Sequence, residues 1–316
     1  MGCGRLLDPA PADCNPFDVS LMDGTLSTDL DWLRAVIVAA MPELSRLTFT
    51  LLTAGWDSVG VDVDDRLIFK FPRHEPAARA LAAEARLLDV IRPAVRMPVP
   101  AMTFSAGPPT FTRHVKLPGE HLLTAQYDRL PEDARDRLAA MLAEFYARLH
   151  ALPAERMEAA GARAVQAWVP PEEILRRALP VLPSELQAYA ERMVAAWQQL
   201  SDDPHGTVFG FFDGHGWNMA FDHARERLNG IYDFGDSGFG PLHREFIYSD
   251  WISPDLTTRI VREYEALTGR ALDRRRIDVL SAVLRLSELA EYADDPAHAP
   301  DMIRHVADWA AREPGA

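Results

Sequence analysis

Two patterns of apolar and polar positions divide the chain. Between residues 47 and 116, short alternating runs are broken by glycine, aspartate and proline, which predicts β-strands. The strand candidates are LTFTLL, VGVDV, RLIFKF, PAMTF and TFTRHVKL, and one helix at 76–91 interrupts them. Beyond residue 119 the apolar residues recur at helical spacing, as in ARDRLAAMLAEFYARLHAL. This second part is therefore predicted to be mainly helical.

The helical part has one predicted interruption, a small β element made by VFGFF and LNGIYDF. At the other end of the chain, Ser27 or Thr28 is expected to cap a helix that ends near residue 40. Four further helices are predicted at 171–200, 255–268, 273–293 and 299–312. No internal repeat accompanies these elements.

These elements predict an α+β fold of two lobes. Residues 1–25 form a loop-like leader, residues 26–116 a small β-rich N-lobe with one helix, and residues 117–316 a larger, mainly helical C-lobe. The length of 316 residues suits about two lobes of ~150 residues each. We expect the boundary near the Leu-Pro-Gly sequence at 117–119.

Composition and charge narrow the classes of partner. The net charge of −14 argues against a nucleic-acid partner and mildly favours cationic ones, although an acidic surface that only aids solubility explains it equally well. The only two cysteines, Cys3 and Cys14, lie in the leader, so a disulfide framework is not expected. No apolar run approaches ~18 residues and the start lacks a secretory segment, so we expect a cytoplasmic protein without a membrane partner.

Lys70 is an unexpected residue in the apolar strand RLIFKFP. Strand alternation sends Phe69 and Phe71 to one face and leaves Lys70 on the other. An ammonium group at this position must reach water or meet an anion, because an unpaired buried charge is costly. A lysine solvated at the sheet edge is the simpler alternative.

Glu84 is a candidate anion for Lys70. In the predicted helix at 76–91 it lies in the middle of the apolar stripe, with Leu81 one turn before it and Leu88 one turn after it. Carboxylates rarely occupy such a position without a cation, and Lys70 is the nearest in sequence. A slightly rotated helix with Glu84 at the surface is the alternative.

Two polar turns later in the chain complete a set of candidate residues. In FGFFDGHGWNMAFD, Asp213 follows an apolar run and Asn218 comes five residues later. In GIYDFGDSGFG, Asp233 ends a short apolar strand and Gly235 permits a sharp turn. Each motif alone is common by chance. Their order after a strand lysine and a helix glutamate is what phosphoryl transfer from a nucleotide requires.

The chemistry explains why these residue types belong together. A lysine held by a carboxylate neutralises phosphate oxygens, and an aspartate at a loop tip orients the acceptor hydroxyl and receives its proton. An asparagine and a second aspartate supply the oxygen ligands that Mg²⁺ prefers, and the phosphates complete its coordination. The sequence therefore predicts a magnesium-dependent phosphotransferase.

The chain resembles the aminoglycoside phosphotransferase family of antibiotic kinases, whose fold is related to that of protein kinases. Within this family it is most similar to the aminoglycoside 2''-phosphotransferases. The resemblance spans about residues 45–270. It rests on TAGWDSVGVDVDDRLIFKFPRHEPAARALAAEARLLDVI, on PVPAMTFSAGPPTFTRHVKLPGEHL and on GIYDFGDSGFGPLHREFIY.

The resemblance implies the roles of five residues. Asp213 would be the catalytic aspartate, and Asn218 and Asp233 would coordinate magnesium. Lys70 would contact the α and β phosphates, and Glu84 would hold it. The nucleotide would bind between the lobes, and the γ-phosphate of ATP or GTP would pass to a hydroxyl of an aminoglycoside-like acceptor, a reaction of the antibiotic-resistance type.

Further residues are implied for the nucleotide and the acceptor. Ser58 would lie near the phosphates, and the segment from Arg113 through Val115 to residue 117 would present backbone groups to the purine. Asp236 would line the acceptor side, and two helices between residues 150 and 201 would help to wall it. The residues themselves suggest weaker acceptor candidates, and charged or solvated surface explains these equally well or better: His215, Glu245, Asp250, Asp255 and the acidic segment SELAEYADD.

Two features depart from the family pattern. Phe211 stands where the family has the histidine of His-Gly-Asp, and we expect Phe211 to fill the same apolar space while losing a hydrogen bond. The turn around Gly55 also lacks a full G-x-G-x-x-G, which argues against a Rossmann or Walker site. Two alternatives stay open. One is a kinase of another small molecule, such as a macrolide, choline, homoserine or a fructosamine; the other is a degenerate, nucleotide-binding scaffold. Trp217 is expected to pack the catalytic loop against a helix.

Overall fold

The computed structural model describes residues 29–52 and 57–312. The chain forms two compact units. The first contains the described residues up to Ala85 together with Ala101–Lys116, and the second contains Arg86–Pro100 and the described residues from Leu117 onward. The predicted α+β class is confirmed, because the first unit is built on one antiparallel sheet and the second is mainly helical.

The first unit contains a five-stranded antiparallel sheet in the order β1-β2-β3-β5-β4. All five predicted strands are present: β1 (Phe49–Leu52), β2 (Ser58–Val63), β3 (Leu67–Pro72), β4 (Thr103–Ser105) and β5 (Phe111–Val115). One sheet face and helix α1 (Leu30–Ala40) share an apolar core that includes Leu33, Val61 and Phe69. Burial of these alternating residues is the main stabilising force in this unit.

Helix α1 begins one or two residues later than the sequence suggested. Asp29 caps it, and its Oδ1 accepts a hydrogen bond from the backbone N–H of Asp31 at 2.9 Å. The predicted caps Ser27 and Thr28 lie outside the described residues, as do Cys3, Cys14 and Gly55. Helix α2 (Glu75–Ile91) matches the predicted helix at 76–91.

Helices make up most of the second unit. They are α3 (Thr124–Tyr127), α4 (Glu132–His150), α5 (Ala154–Ala160), α6 (Pro171–Ala178), α7 (Ser184–Gln198), α8 (Pro254–Thr268), α9 (Arg274–Tyr292) and α10 (Ala299–Ala310). The single helix predicted at 171–200 is wrong, because the chain leaves the helix after α6 and Pro183 caps α7. Three helices, not two, therefore lie between residues 150 and 201.

Two small antiparallel sheets interrupt the helices. Strand β6 (Thr207–Gly210) pairs with β9 (Gly238–Pro241), and β7 (Met219–Asp222) pairs with β8 (Arg227–Ile231). The sequence predicted β6 and β8 but not their partners. A long 3₁₀ helix, Leu242–Trp251, follows β9 and is almost entirely buried. In the part of the chain that the structure covers, no helix is long and apolar enough to cross a membrane.

Candidate active site

Lys70 and Glu84 meet within the first unit. Lys70 lies in β3, opposite Gly60 of β2 and Thr112 of β5. Its Nζ is 3.9 Å from Oε1 of Glu84, and the Glu84 side chain is 3% exposed. A carboxylate this deeply buried is stabilised by a nearby cation, so the helix and the strand together hold the lysine in place.

The other predicted nucleotide residues belong to the sheet that carries Lys70. Ser58 is the first residue of β2, and Arg113 lies opposite Phe69 in β5. Val115 ends β5 with 66% of its surface exposed, and its carbonyl oxygen lies 2.9 Å from Nδ1 of His114. Their contacts with a nucleotide stay predictions.

In the second unit, Asp213 lies in a polar turn between β6 and β7. The side-chain amide of Asn218 donates to Oδ2 of Asp213 at 2.6 Å and to its backbone carbonyl at 3.1 Å. Nε2 of His215 lies 3.0 Å from Oδ1 of the same carboxylate. Both oxygens of Asp213 are therefore oriented by residues of its own turn.

His215 is an ion-pair partner rather than a solvated turn residue. Burial disfavours its charged form, but the hydrogen bond to Asp213 and the charge of Asp213 outweigh burial, so the pKa of His215 is raised. Its Nδ1 is buried and has no hydrogen-bond partner among the described residues. The carboxylate of Asp213 thus favours the protonated form of the imidazole beside it.

Two glycines allow this turn to pack closely. A Cβ atom on Gly216 would lie 1.8 Å from the backbone oxygen of Leu122, and one on Gly214 would lie 2.2 Å from the hydroxyl of Tyr146. Phe212, just before Asp213, has a left-handed backbone with φ of 54°. The turn is a close-packed structure, and only glycine fits at these two positions.

Glu245 holds the turn from behind. It is fully buried, and its Oε2 and Oε1 accept hydrogen bonds from the backbone N–H groups of Phe211 and Phe212 at 2.9 and 3.0 Å. Nε2 of His150 pairs with Oε2 at 3.2 Å, and Nδ1 of His150 pairs with the Tyr264 hydroxyl at 2.8 Å. The prediction that Glu245 binds the acceptor is wrong, because its carboxylate is inaccessible and already used.

Phe211 replaces the family histidine within an aromatic cluster. Its buried ring lies 4.8 Å from that of Phe234 and 6.0 Å from that of Phe145, measured between centroids. The expectation that Phe211 fills the apolar space is confirmed. The two backbone hydrogen bonds to Glu245 position the loop without a histidine side chain.

Asp233 lies beside this turn. The backbone N–H of Tyr232 donates to the carbonyl of Asn218 at 3.0 Å, which brings the start of the Asp-Phe-Gly segment next to the catalytic turn. Asp233 has a left-handed φ of 67°. Its charge and that of Asp213 contribute to the raised pKa values of both His215 and Asp236, so these four residues share one electrostatic environment.

The side chains of Asn218 and Asp233 carry the types of ligand atom that magnesium binds. The amide nitrogen of Asn218 is committed to Asp213, which leaves the amide oxygen as its available ligand atom, and Asp233 supplies a carboxylate. Among residues 29–52 and 57–312, no cluster of three or more His, Cys, Asp or Glu could hold a metal. Such a sparse set suits Mg²⁺, whose remaining ligands are water and substrate phosphates.

Asp236 is the acceptor candidate on which the charges of Asp213 and Asp233 act. Desolvation by neighbouring atoms raises the pKa of its carboxyl, and the negative charges of Asp213 and Asp233 raise it further, to about 6. The residue still has surface exposed to solvent. Arg244 offsets part of the repulsion. A carboxyl with this pKa changes charge near neutral pH.

Asp250 is not an acceptor residue. It is buried in the second unit, where it accepts a hydrogen bond from the hydroxyl of Ser281. Its neighbour Arg285 is also buried, with its guanidinium 4.2 Å from the ring centre of Trp251 and 4.3 Å from that of Trp309. Asp250 is therefore an internal residue of the second unit, and the prediction that it contacts an acceptor is wrong.

Asp255 also has a structural role, because its carboxylate binds the Tyr127 hydroxyl at 2.6 Å and Arg259 at 2.9 Å.

The acidic segment SELAEYADD begins within α9, and its residue Glu288 has an unusual pKa. Burial raises its pKa to about 7, and the charges of His215 and Asp213 also act on it, which places it within electrostatic reach of the catalytic turn. The sequence left the whole segment open between acceptor contact and surface charge, because the burial of Glu288 depends on tertiary packing.

Trp217 does not pack the loop against a helix. Its side chain is 45% exposed, although its neighbours Gly216 and Asn218 are buried. The edge of the His215 ring meets it at a centroid distance of 5.4 Å. The prediction of a packing role for Trp217 is therefore wrong.

Comparison with known proteins assigns the fold. The model of the phosphotransferase enzyme family APH matches residues 48–280. Among solved structures, the GDP complex of wild-type aminoglycoside 2'-phosphotransferase-IIIa has a TM-score of 0.77 and 21% identity, over 90% of this chain and all of that one. No curated protein sequence matches the chain.

Two further structures have similar folds. The GDP and kanamycin complex of APH(2'')-IIIa has a TM-score of 0.75 and 21% identity, over 90% of this chain and 100% of that chain. A macrolide 2'-phosphotransferase from Brachybacterium faecium has a TM-score of 0.62 and 17% identity, over 89% and 99%. Since the family model spans most of the chain, this protein belongs to the APH family of phosphotransferase enzymes.

Proposed function

We propose that the protein transfers the γ-phosphate of ATP or GTP to a hydroxyl group of an aminoglycoside-like acceptor. The observation that carries this proposal is the catalytic turn, in which Asn218 and His215 orient the two carboxylate oxygens of Asp213. Family membership supports the reaction type. On this proposal residues 26–116 act as the nucleotide-binding lobe and residues 117–316 as the catalytic and acceptor-binding lobe.

Asp213 would act on the attacking group. Its carboxylate orients the acceptor hydroxyl and receives the proton as the oxygen forms a bond to the γ-phosphorus. The bond between that phosphorus and the β–γ bridging oxygen breaks, and the nucleoside diphosphate leaves. Most of the rate acceleration would come from positioning and charge stabilisation.

Lys70 would neutralise the α and β phosphates, and Glu84, 3.9 Å from its ammonium, would keep it oriented. Asn218 and Asp233 would hold Mg²⁺, which when bound neutralises phosphate charge. Ser58 and the segment of Arg113 and Val115 are the further nucleotide contacts that we propose. The GDP complexes among the similar structures support a nucleotide donor.

The acceptor class follows from charge near Asp213. Asp236 and Glu288 are carboxyls in the electrostatic environment of the catalytic turn, and a cationic acceptor would favour their ionised forms. The kanamycin complex of a similar structure supports an aminoglycoside. His215, whose side chain is 23% exposed, would contact the acceptor or the transferred phosphate.

A phosphotransfer assay tests the proposal. Kanamycin, other aminoglycosides and a macrolide are each offered with ATP and with GTP, in the presence of magnesium or of excess chelator, and phosphorylated product is detected by mass spectrometry. We expect product with at least one aminoglycoside and none in chelator. Nucleotide binding without product from any acceptor would favour the degenerate scaffold instead.

A further inference from the structure

Trp217 is the exposed large aromatic side chain of a turn whose other residues are buried or partly buried. It lies between His215 and Asn218, and 45% of its surface is accessible. Exposed large apolar side chains are few among the described residues: Leu52, Val115, Trp217 and Leu267. The exposed indole leaves apolar surface in water next to His215, and a ligand that packs on it would remove that surface from water.

The backbone that carries the indole is held firmly. The carbonyl of Trp217 accepts a hydrogen bond from the Tyr232 hydroxyl at 2.8 Å, and the carbonyl of Gly216 accepts one from the backbone N–H of Leu122 at 3.1 Å. The missing side chain of Gly216 allows this close contact with Leu122. With its backbone held, the indole has only two side-chain torsions to order when a ligand packs on it, so the loss of conformational entropy is small.

His215 connects Trp217 to the reacting group. The imidazole lies 3.0 Å from Oδ1 of Asp213 through Nε2, and its ring edge meets the indole at 5.4 Å between centroids, with an interplanar angle of 76°. The imidazole of His215 therefore contacts both the indole and the carboxylate of Asp213. The charges of Asp213 and Asp233 act on this imidazole, so the two carboxylates outnumber the one imidazole around it and the turn favours a cationic ligand over an anionic one.

We propose that Trp217 is the stacking platform for a ring of the acceptor, an inference that rests on the proposed function. A saturated ring bearing hydroxyl and ammonium groups would pack its C–H face, or a cationic substituent, on the indole while the reacting hydroxyl points to Asp213. The negative face of the indole attracts both kinds of group. Trp217 would thus determine acceptor affinity and contribute little to the chemical step.

Steady-state kinetics with kanamycin as the varied substrate test this inference. Trp217→Leu removes the aromatic face but keeps an apolar side chain, and Trp217→Phe keeps a smaller aromatic face. We expect Trp217→Leu to raise the KM for kanamycin by roughly 3- to 30-fold. The KM for the nucleotide should not change, and kcat should change much less than the KM for kanamycin. Trp217→Phe should lie nearer to the unmodified protein.

Leu267→Ala is the matched control, because Leu267 is 57% exposed in the last turn of α8, which supplies no residue of the catalytic turn. Its kinetic constants should equal those of the unmodified protein. Two results overturn the inference alone: an unchanged KM for kanamycin in Trp217→Leu, or an equal increase in the KM for the nucleotide. If the unmodified protein phosphorylates another aminoglycoside but not kanamycin, that acceptor is used. Failure with every acceptor overturns the proposed function itself.

Discussion

Oε1 of Glu245 lies 3.0 Å from the backbone nitrogen of Phe212, the residue immediately before Asp213. The other oxygen of the same carboxylate binds Phe211, so one buried side chain fixes two consecutive peptide groups. Phe212 also has a left-handed backbone, which the surrounding structure must maintain. Glu245 is therefore a positioning residue for Asp213, and it acts without touching a substrate.

Glu245→Ala tests this positioning role. The change leaves two buried N–H groups and His150 without their partner, so we expect the free energy of unfolding to fall by about 3 kcal/mol, and kcat to fall as well. Urea denaturation and steady-state kinetics measure the two effects. Glu155→Gln, a change on the exposed surface of α5, is the control. Unaltered stability and kcat in Glu245→Ala would show that the carboxylate is not needed.

Glu84→Gln tests the lysine clamp in the first unit. The glutamine keeps the size of the side chain but removes the charge that faces Lys70. We expect the KM for the nucleotide to rise roughly tenfold, equivalent to ~1.4 kcal/mol, with little change in the KM for the acceptor. Glu75→Gln, in the exposed first turn of the same helix, should behave like the unmodified protein. Equal nucleotide KM values in the two variants would contradict the proposed role of Glu84.

The pKa of Asp236, raised to about 6, predicts a pH dependence of acceptor affinity. The carboxyl becomes an anion only as the pH rises through about 6, while an alkyl ammonium group stays charged over this range. The KM for a cationic acceptor should therefore fall between pH 5 and 7. Asp236→Asn should remove this contribution, whereas Asp308→Asn, on the exposed face of α10, should keep it. An identical pH profile in Asp236→Asn would exclude the residue from acceptor binding.

The raised pKa of Asp250 predicts that the free energy of unfolding depends on pH. Its pKa is raised to about 6, chiefly by burial, and burial lowers the pKa of Arg285 to about 10. Because the folded protein holds the proton of Asp250 more tightly than the unfolded chain, this contribution to stability is complete below the unfolded pKa of about 4 and is lost as the pH rises through about 6. In the unfolded chain the carboxylate of Asp250 is in contact with water, so its ionisation carries no cost of burial.

Asp250→Asn should therefore gain stability relative to the unmodified protein between pH 5 and 7.5. Urea denaturation at several pH values measures the difference in the free energy of unfolding. Asp89→Asn, an exposed change, should show no such trend. A difference that is constant with pH, or that decreases, would show that Asp250 is ionised throughout this range.

Local patterns were sufficient to predict much of the fold. Strand alternation placed Lys70 away from the faces of Phe69 and Phe71, and helical periodicity placed Glu84 toward the core. The pairing of these two side chains is present at 3.9 Å. These features depend on residues close together in the sequence, so their geometry follows from secondary structure.

The features that could not be predicted from the sequence depend on tertiary packing. Glu245 and Asp250 look like surface charges in LHREFIYSDW, but this segment forms a buried 3₁₀ helix. Strand β9 is rich in glycine and lacks alternation, so its pairing with β6 gives no local pattern. Trp217 was expected to pack the loop against a helix, and its exposure depends on the tertiary structure of the turn that follows Asp213.

The most direct test of the central claim compares the unmodified protein with Asp213→Asn. Asparagine keeps the shape of the side chain but cannot accept the proton of the acceptor hydroxyl. We predict loss of phosphotransfer to kanamycin or to whichever aminoglycoside the unmodified protein accepts, with nucleotide affinity largely retained in a titration of the same variant. Full turnover by Asp213→Asn would contradict the account.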